Sequence, residues 1–283
     1  MNIQTIGVVG CGLMGSGIVE VCARAGFDVI VAEADEERLA AGLQRVRQSV
    51  QRGVSRGKIT PEEAEVALGR IRGTVDLEDF RPADLVIEAV TEDMNIKKAV
   101  FRRLDAILRP DVILASNTSS LSVAALAAVT QRPDRVLGMH FFNPVPVMAL
   151  LELVRSILTS DETLATAQAI GARLGKTTVV APDRPGFIVN RLLIPYIIDA
   201  IKLYEAGLAS KEDIDTAIKL GLAHPMGPLT LADLVGLDTT LAVADVLYEE
   251  YGEARFKAPP LLRRMVAAGL LGRKSGRGFY DYR

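Results

Sequence analysis

Short β-branched runs recur along the first half of the chain, at Ile3–Val9, Asp28–Glu33, Asp84–Ala89, Val112–Ser116 and Val136–His140, each closed by glycine, polar or charged residues. Between them the apolar residues fall at helical spacing. This alternation predicts a parallel, doubly wound α/β sheet. About fifty residues separate the second and third runs, more than one crossover helix requires. Ser55, Gly57 and the start signal Thr60-Pro61-Glu62-Glu63 divide them into two helices, a hairpin over about residues 36–72. After Pro182-Asp183-Arg184-Pro185-Gly186 the strand pattern stops. Phe187–Glu205, Lys211–Leu220, Leu231–Tyr251 and Pro260–Ala268 read as helices, with caps at Ser210 and Thr230 and a stop at Gly207. The expected organisation is an α/β unit over residues 1–184 and an all-α unit over residues 185–283.

Composition excludes several classes. With 283 residues, 49% of them hydrophobic and 24% charged, the chain can build one large or two smaller cores, and disorder and collagen-like repeats are ruled out. The balance of 33 Lys+Arg against 35 Asp+Glu, a net charge of -2, advertises neither nucleic acid nor an anionic membrane as a partner. The two cysteines, Cys11 and Cys22, indicate a reducing compartment with no disulfide. Residues 3–17 hold five glycines and no Lys or Arg, unlike a secretory signal, and the uncharged stretch Val112–Gln131 is interrupted by Ser116 to Ser120. A soluble, cytoplasmic protein is expected.

The strongest local signal is Gly10-Cys11-Gly12-Leu13-Met14-Gly15, placed where the first strand gives way to a helix with Ile18, Val21 and Cys22 on one face. Gly10 allows the tight turn, Gly12 lets the backbone approach a diphosphate at the helix N-terminus, and Gly15 lets helix and strand pack closely. Glu33, ending the second strand, stands where an acid accepts hydrogen bonds from the adenine ribose; Asp35 is the alternative. An acid there repels a 2′-phosphate, and its neighbour is Ala34 rather than an arginine, so NAD is expected over NADP in a Rossmann-type unit.

Only two histidines are available for proton transfer. His224 lies in a turn of the helical half and reads as a turn or interface residue. His140 ends a parallel strand, and the carboxyl ends of such strands are where ligands bind. The preceding strand ends in Ser116-Asn117-Thr118-Ser119-Ser120, suited to helix capping or to hydrogen-bonding a carbonyl. Glu152 falls among Leu150, Leu151, Leu153 and Val154; an acid there is either paired, with His140 as the plausible partner, or a strand-edge carboxylate facing water.

The ordered motifs GCGLMGSG, LVIEAVTED, ILASNTSSLS, GMHFFNPVPVM, PGFIVNRLLIPY, HPMGPLTLADLVGLD and GRKSGRGFYDY span nearly the whole chain. Together they resemble the 3-hydroxyacyl-CoA dehydrogenase family, and most closely its short bacterial 3-hydroxybutyryl-CoA dehydrogenases. Glu33 is a departure, since aspartate is more usual there. The resemblance implies His140 as general base and acid, Glu152 as the carboxylate orienting it, Ser119 between substrate and nicotinamide, and Asn190 as a substrate amide. It implies Glu92, Lys97, Asn143 and Lys274 beside the cofactor, with Leu13 and Met14 in the dinucleotide loop. Lys97 and Lys274 can also be read as ordinary solvated charges.

The hairpin carries Arg45, Arg47, Arg52, Arg56 and Lys58, positive charge suited to the phosphates of CoA. By resemblance Ser49 and Arg56 are the CoA contacts, Arg56 standing where lysine is usual. Leu192, Leu193, Ile197, Ile198, Leu234 and Leu237 exceed what four helices can bury, and the family forms homodimers through this half. The expected function is an NAD-dependent (S)-3-hydroxyacyl-CoA dehydrogenase acting on a short acyl-CoA, with no metal. Two alternatives stand beside it: a related dehydrogenase of a non-CoA hydroxy acid such as L-gulonate, and a catalytically silent NAD-binding protein. The retained set His140, Glu152, Ser119, Asn143 and Asn190 speaks against the silent one.

Overall fold

The computed structural model describes residues 3–283. The chain divides into two compact units between Arg184 and Pro185. In the first unit the strands are β1 (Thr5–Val9), β2 (Asp28–Ala32), β3 (Ile71–Thr74), β4 (Leu85–Glu88), β5 (Ile113–Ser116), β6 (Val136–Phe141), β7 (Leu150–Arg155) and β8 (Thr177–Pro182). They form one sheet in the order β3-β2-β1-β4-β5-β6-β7-β8. Strands β1 to β6 are parallel; β7 runs antiparallel to β6, and β8 is parallel to β7. The strand order reverses between β1 and β4, the switch point at which open α/β sheets bind ligands.

The helices of this unit are α1 (Leu13–Arg24), α2 (Glu36–Ser55), α3 (Pro61–Gly69), α4 (Met94–Ile107), α5 (Val123–Ala127) and α6 (Asp161–Arg173). Helix α2 buries Leu39, Gly42, Val46 and Val50, a stripe at helical spacing, and turns its arginines outward. Thr60 and Glu63 form a reciprocal capping box that starts α3 at Pro61. The chain leaves α3 directly into β3, so residues 71 and 72 at the end of the expected hairpin belong to the sheet. Central strands are buried on both faces, with Ile6, Val8, Leu85, Ile87 and Ile113 fully enclosed. Asp183, just past β8, accepts from the backbone N–H groups of Val123 and Ala124 at 2.9 and 2.7 Å and from the Ser122 hydroxyl, tying the end of the sheet to the start of α5.

The second unit contains α7 (Val189–Glu205), α8 (Lys211–Gly221), α9 (Pro228–Val235), α10 (Leu237–Tyr251) and α11 (Pro260–Ala267). The stretch expected as one helix over Leu231–Tyr251 is two, broken at Gly236, whose φ of 100° lies outside the helical region. Gly227 rather than Thr230 is the N-cap of α9. The buried Asp215 carboxylate takes over the capping: it accepts from Leu229 N at 2.8 Å, Thr230 N at 2.9 Å, Thr230 Oγ1 at 2.6 Å and Tyr280 Oη at 3.0 Å. Ser210 caps α8 by accepting from Asp213 N. Of the apolar residues expected to be in excess, Ile197, Ile198 and Leu237 are inside this unit's own core, whereas Leu192 and Leu234 are exposed together with Leu208, Leu220 and Leu222. Among the described residues no helix is long and apolar enough to cross a membrane.

The Asp215 carboxylate joins α8, α9 and the C-terminal segment, and removing it strands several buried donors. Asp215→Ala is expected to cost about 2–4 kcal/mol, read as a lower urea midpoint. An unchanged midpoint would show that the four bonds are replaced by water without loss.

Candidate active site

The glycine loop follows β1 because Gly10, at φ 94°, turns the chain in a region open to glycine, where a Cβ would lie 2.7 Å from the Ala89 carbonyl oxygen. A Cβ on Gly15 would lie 1.9 Å from the carbonyl oxygen of Gly10, so α1 can begin directly beneath the turn only with glycine there. Gly12 faces open space, with nothing within 4 Å of where its Cβ would stand. The loop therefore packs tightly on its protein side and is clear on the side where a diphosphate would meet the N-terminus of α1. Leu13 is exposed and Met14 half-buried at that end.

Glu33 lies beside the loop. Its Oε1 accepts the Cys11 N–H at 2.7 Å and its Oε2 the Ala34 N–H at 3.2 Å. Each carboxylate oxygen has a second lone pair for a ribose hydroxyl, so the residues present fit an NAD adenosine. Asp35, the alternative acid, is committed to capping α2 through Arg38 N at 2.8 Å. Burial, with the Glu33 charge nearby, pushes the Cys11 thiol up to about 11, which keeps it a neutral packing group beneath the loop.

His140 and Glu152 are directly opposed across the antiparallel β6–β7 pair, and His140 Nδ1 lies 2.7 Å from Glu152 Oε2. Glu152 is 0% exposed and His140 6%, so the carboxylate does not face water. A buried carboxylate at that distance makes Nδ1 the protonated nitrogen of the neutral ring, which leaves Nε2 as the basic one. The Phe142 ring packs against the imidazole at a centroid distance of 4.6 Å.

A second polar cluster sets the loop after β5. Glu88, at the end of β4, and Lys97, in α4, are 0% and 1% exposed, with Lys97 Nζ 2.7 Å from Glu88 Oε1 and 3.2 Å from Glu92 Oε2. Glu88 also accepts from Val90 N and the Ser116 hydroxyl. Glu92 Oε1 accepts from the Thr118 hydroxyl at 2.5 Å and from Ser119 N at 2.8 Å. Burial works to raise the Glu92 carboxyl, but the Lys97 ammonium and the bonds from Thr118 and Ser119 outweigh it and hold it below its usual range. Lys97 is thus no solvated charge; it is the internal counter-ion of two carboxylates. Sequence reasoning missed Glu88, although the signal was the one that singled out Glu152, an acid inside an apolar strand. It also missed Asn117 as a specific link: Asn117 Oδ1 accepts the Phe141 N–H at 2.9 Å and fixes the end of β6.

The remaining candidates are spread over both units. Asn143 is exposed, two residues past β6 and before a cis Pro144. Ser49 and Arg56 lie on α2 and at its C-cap, with Arg56 exposed beside Lys58. Arg45, exposed like them, is engaged with the dinucleotide loop, its Nη2 donating to the Cys11 carbonyl at 3.0 Å. Asn190 and Lys274 belong to the second unit, the former in the first turn of α7, the latter with Nζ 2.5 Å from Asp238. His224, also there, is exposed, with Tyr196 as a distant partner at 3.4 Å. Among the described residues no group of His, Cys, Asp and Glu is arranged to hold a metal ion.

Residues 5–184 match the profile of the 3-hydroxyacyl-CoA dehydrogenase NAD binding domain, and residues 186–282 that of the 3-hydroxyacyl-CoA dehydrogenase C-terminal domain. The chain is 52% identical over 282 residues to a 3-hydroxybutyryl-CoA dehydrogenase of Mycobacterium tuberculosis, covering 99% of both chains. It is 49% identical to a probable 3-hydroxybutyryl-CoA dehydrogenase of Bacillus subtilis, with 100% of this chain and 98% of that one covered. Among solved structures it is similar to (S)-3-hydroxybutyryl-CoA dehydrogenase PaaH1 from Ralstonia eutropha, at a TM-score of 0.96 and 47% identity with both chains fully covered. The glycine loop and the paired His140 and Glu152 thus sit in a chain matched from end to end by one family's two domains, and the protein belongs to the 3-hydroxyacyl-CoA dehydrogenase family of NAD-dependent oxidoreductases.

Proposed function

We propose that this protein interconverts (S)-3-hydroxyacyl-CoA and 3-oxoacyl-CoA, with the four-carbon acyl chain named for its relatives as the substrate. The observation that carries the chemistry is the buried His140–Glu152 pair at the carboxyl end of β6. NAD, when bound, supplies the hydride acceptor. His140 takes the 3-hydroxyl proton on Nε2 in the oxidising direction and returns it in the reducing direction. Glu152 holds the ring by Nδ1 and stabilises the imidazolium that forms, which matters most where water cannot. Ser119, its amide anchored on Glu92 and its hydroxyl 3.3 Å from the same carboxylate oxygen, is assigned to the substrate oxygen. Asn143 and Lys274 are assigned to the cofactor, Asn190 to the acyl portion, and Ser49 and Arg56 to the CoA phosphates. Glu92, 38% exposed, is assigned to the cofactor as well, and the buried Lys97 acts there through Glu92.

Self-association is assigned to the second unit, whose Leu192, Leu208, Leu220 and Leu222 are each at least 60% exposed. Two free, buried cysteines support a reducing, cytoplasmic setting. Initial rates test the assignment: acetoacetyl-CoA with NADH should turn over and free L-gulonate with NAD should not. The opposite result would move the protein to the non-CoA branch, and no turnover of either would favour a silent cofactor-binding protein.

Substitutions probe the residues. His140→Gln should lower the turnover number about 10²–10⁴-fold with NADH affinity nearly intact, and Glu152→Gln should act in the same direction. The double variant should cost far less than the product of the single losses, because the pair works as one unit. His224→Gln is the control, and loss of turnover there with an active His140→Gln would place the base in the wrong unit. For the cofactor, Glu33→Ser with Ala34→Arg should shift preference from NADH toward NADPH, measured as the ratio of kcat/KM values. Equal use of both cofactors by the wild type would remove the basis for assigning Glu33 this role.

A further inference from the structure

Six cations on and beside α2, Arg38 included, look alike in sequence and are all exposed, but the guanidinium of Arg45 reaches the dinucleotide loop. We propose that Arg45 is a positioning residue for the cofactor: it locks the Cys11–Gly12 peptide of the dinucleotide loop and is not a ligand of the CoA phosphates. The inference rests on NAD binding at that loop. Its geometric basis is the 3.0 Å bond from Arg45 Nη2 to the Cys11 carbonyl. Gly42, three residues earlier on the same face of α2, is the second observation. A Cβ there would lie 2.6 Å from Cys11 Cβ and 2.8 Å from the Cys11 carbonyl oxygen, so α2 is docked directly on the loop and needs glycine to reach it.

In a trans peptide the C=O and N–H point in opposite directions. With the Cys11 carbonyl held toward α2, the Gly12 N–H of the same peptide is aimed away from α2. The position of Gly12 itself is open. The preceding peptide is held as well, because the Cys11 N–H donates to Glu33 Oε1 at 2.7 Å. Glycine at positions 10 and 12 makes rotation of these peptides sterically easy, since glycine has access to both signs of φ. A rotated Cys11–Gly12 peptide would turn its carbonyl, the negative end of its dipole, to the side where the diphosphate lies. A charge-assisted bond from the guanidinium opposes that rotation before any ligand arrives. Glu33 and Arg45 therefore grip the two sides of Cys11. Arg47, Arg52, Arg56 and Lys58 are exposed and available to an anionic substrate; Arg45, exposed too, is engaged by its bond to Cys11.

Arg45→Met, which keeps the apolar stem, and Arg45→Lys, which keeps charge and donor, separate the possibilities. NADH is titrated by its fluorescence and ADP-ribose by calorimetry, both without acyl-CoA. Arg45→Met should weaken both ligands by the same factor, about tenfold, while the KM for acetoacetyl-CoA changes by less than about twofold, and Arg45→Lys should recover most of the loss. In the ligand-free protein, ¹⁵N relaxation dispersion at the Gly12 amide should be quiet in the wild type and show exchange in Arg45→Met. Gly42→Ala, pushing on the same carbonyl, should weaken NADH too. Unchanged NADH and ADP-ribose affinities with a raised KM for acetoacetyl-CoA would overturn the proposal in favour of a CoA contact, and a lower melting temperature with unchanged affinities would reduce Arg45 to a structural tie. A wild type that binds no NADH would instead overturn the cofactor assignment, and the Gly12 dispersion would still judge the lock.

Discussion

A carboxylate with no exposure to solvent is tolerable only beside a partner that can share its charge, and Glu152 depends on His140 in this way. That requirement constrains the sheet. Side chains alternate faces along a strand, so a slip of one residue in the β6–β7 pairing would put the acid and the imidazole on opposite faces. It also accounts for the reversal of β7. The antiparallel pairing sets the two residues directly across from each other, close to the end of β6 where ligands approach an α/β sheet. The turn from β6 into β7 needs no crossover helix, so the acid and the base come from neighbouring stretches of chain.

The cluster beneath Ser119 answers the same physics differently. Here two carboxylates share one ammonium, and they also accept from the hydroxyls of Ser116 and Thr118 and from the backbone N–H groups of Val90 and Ser119. Such a network resists distortion, because parting Glu88 from Lys97 strands two buried charges. The loop from Ser116 to Ser120 is thereby fixed by the buried Glu88 and Lys97 and by Glu92, whose side chain is 38% exposed. Its upper surface is left to Ser119.

Five of the eight strands are legible in the sequence because central parallel strands, buried on both faces, are written as β-branched runs. The edge strand β3, Ile71-Arg72-Gly73-Thr74, has too little apolar character to announce itself, and β8, at the other edge, buries only Ala181. The break at Gly236 is hidden because α9 and α10 carry compatible helical patterns and only the glycine's backbone angle separates them. In the site, His140, Glu152 and the glycine loop could be read from placement alone. The bond of Arg45 to the loop could not, since six exposed cations on and beside α2 differ only in the group that lies opposite each of them, and for Arg45 that is a loop more than thirty residues away.

Asp183 ties off the last strand of the first unit one residue before the division at Arg184 and Pro185. The end of the sheet is thus fastened to α5, the helix after the Ser119 loop, by bonds made wholly within that unit. A gene fusion or exchange at this joint would find the cofactor-binding half already closed upon itself. Lineages could then vary the chain beyond residue 184, in length or in substrate preference, without first rebuilding the anchor that steadies the serine loop.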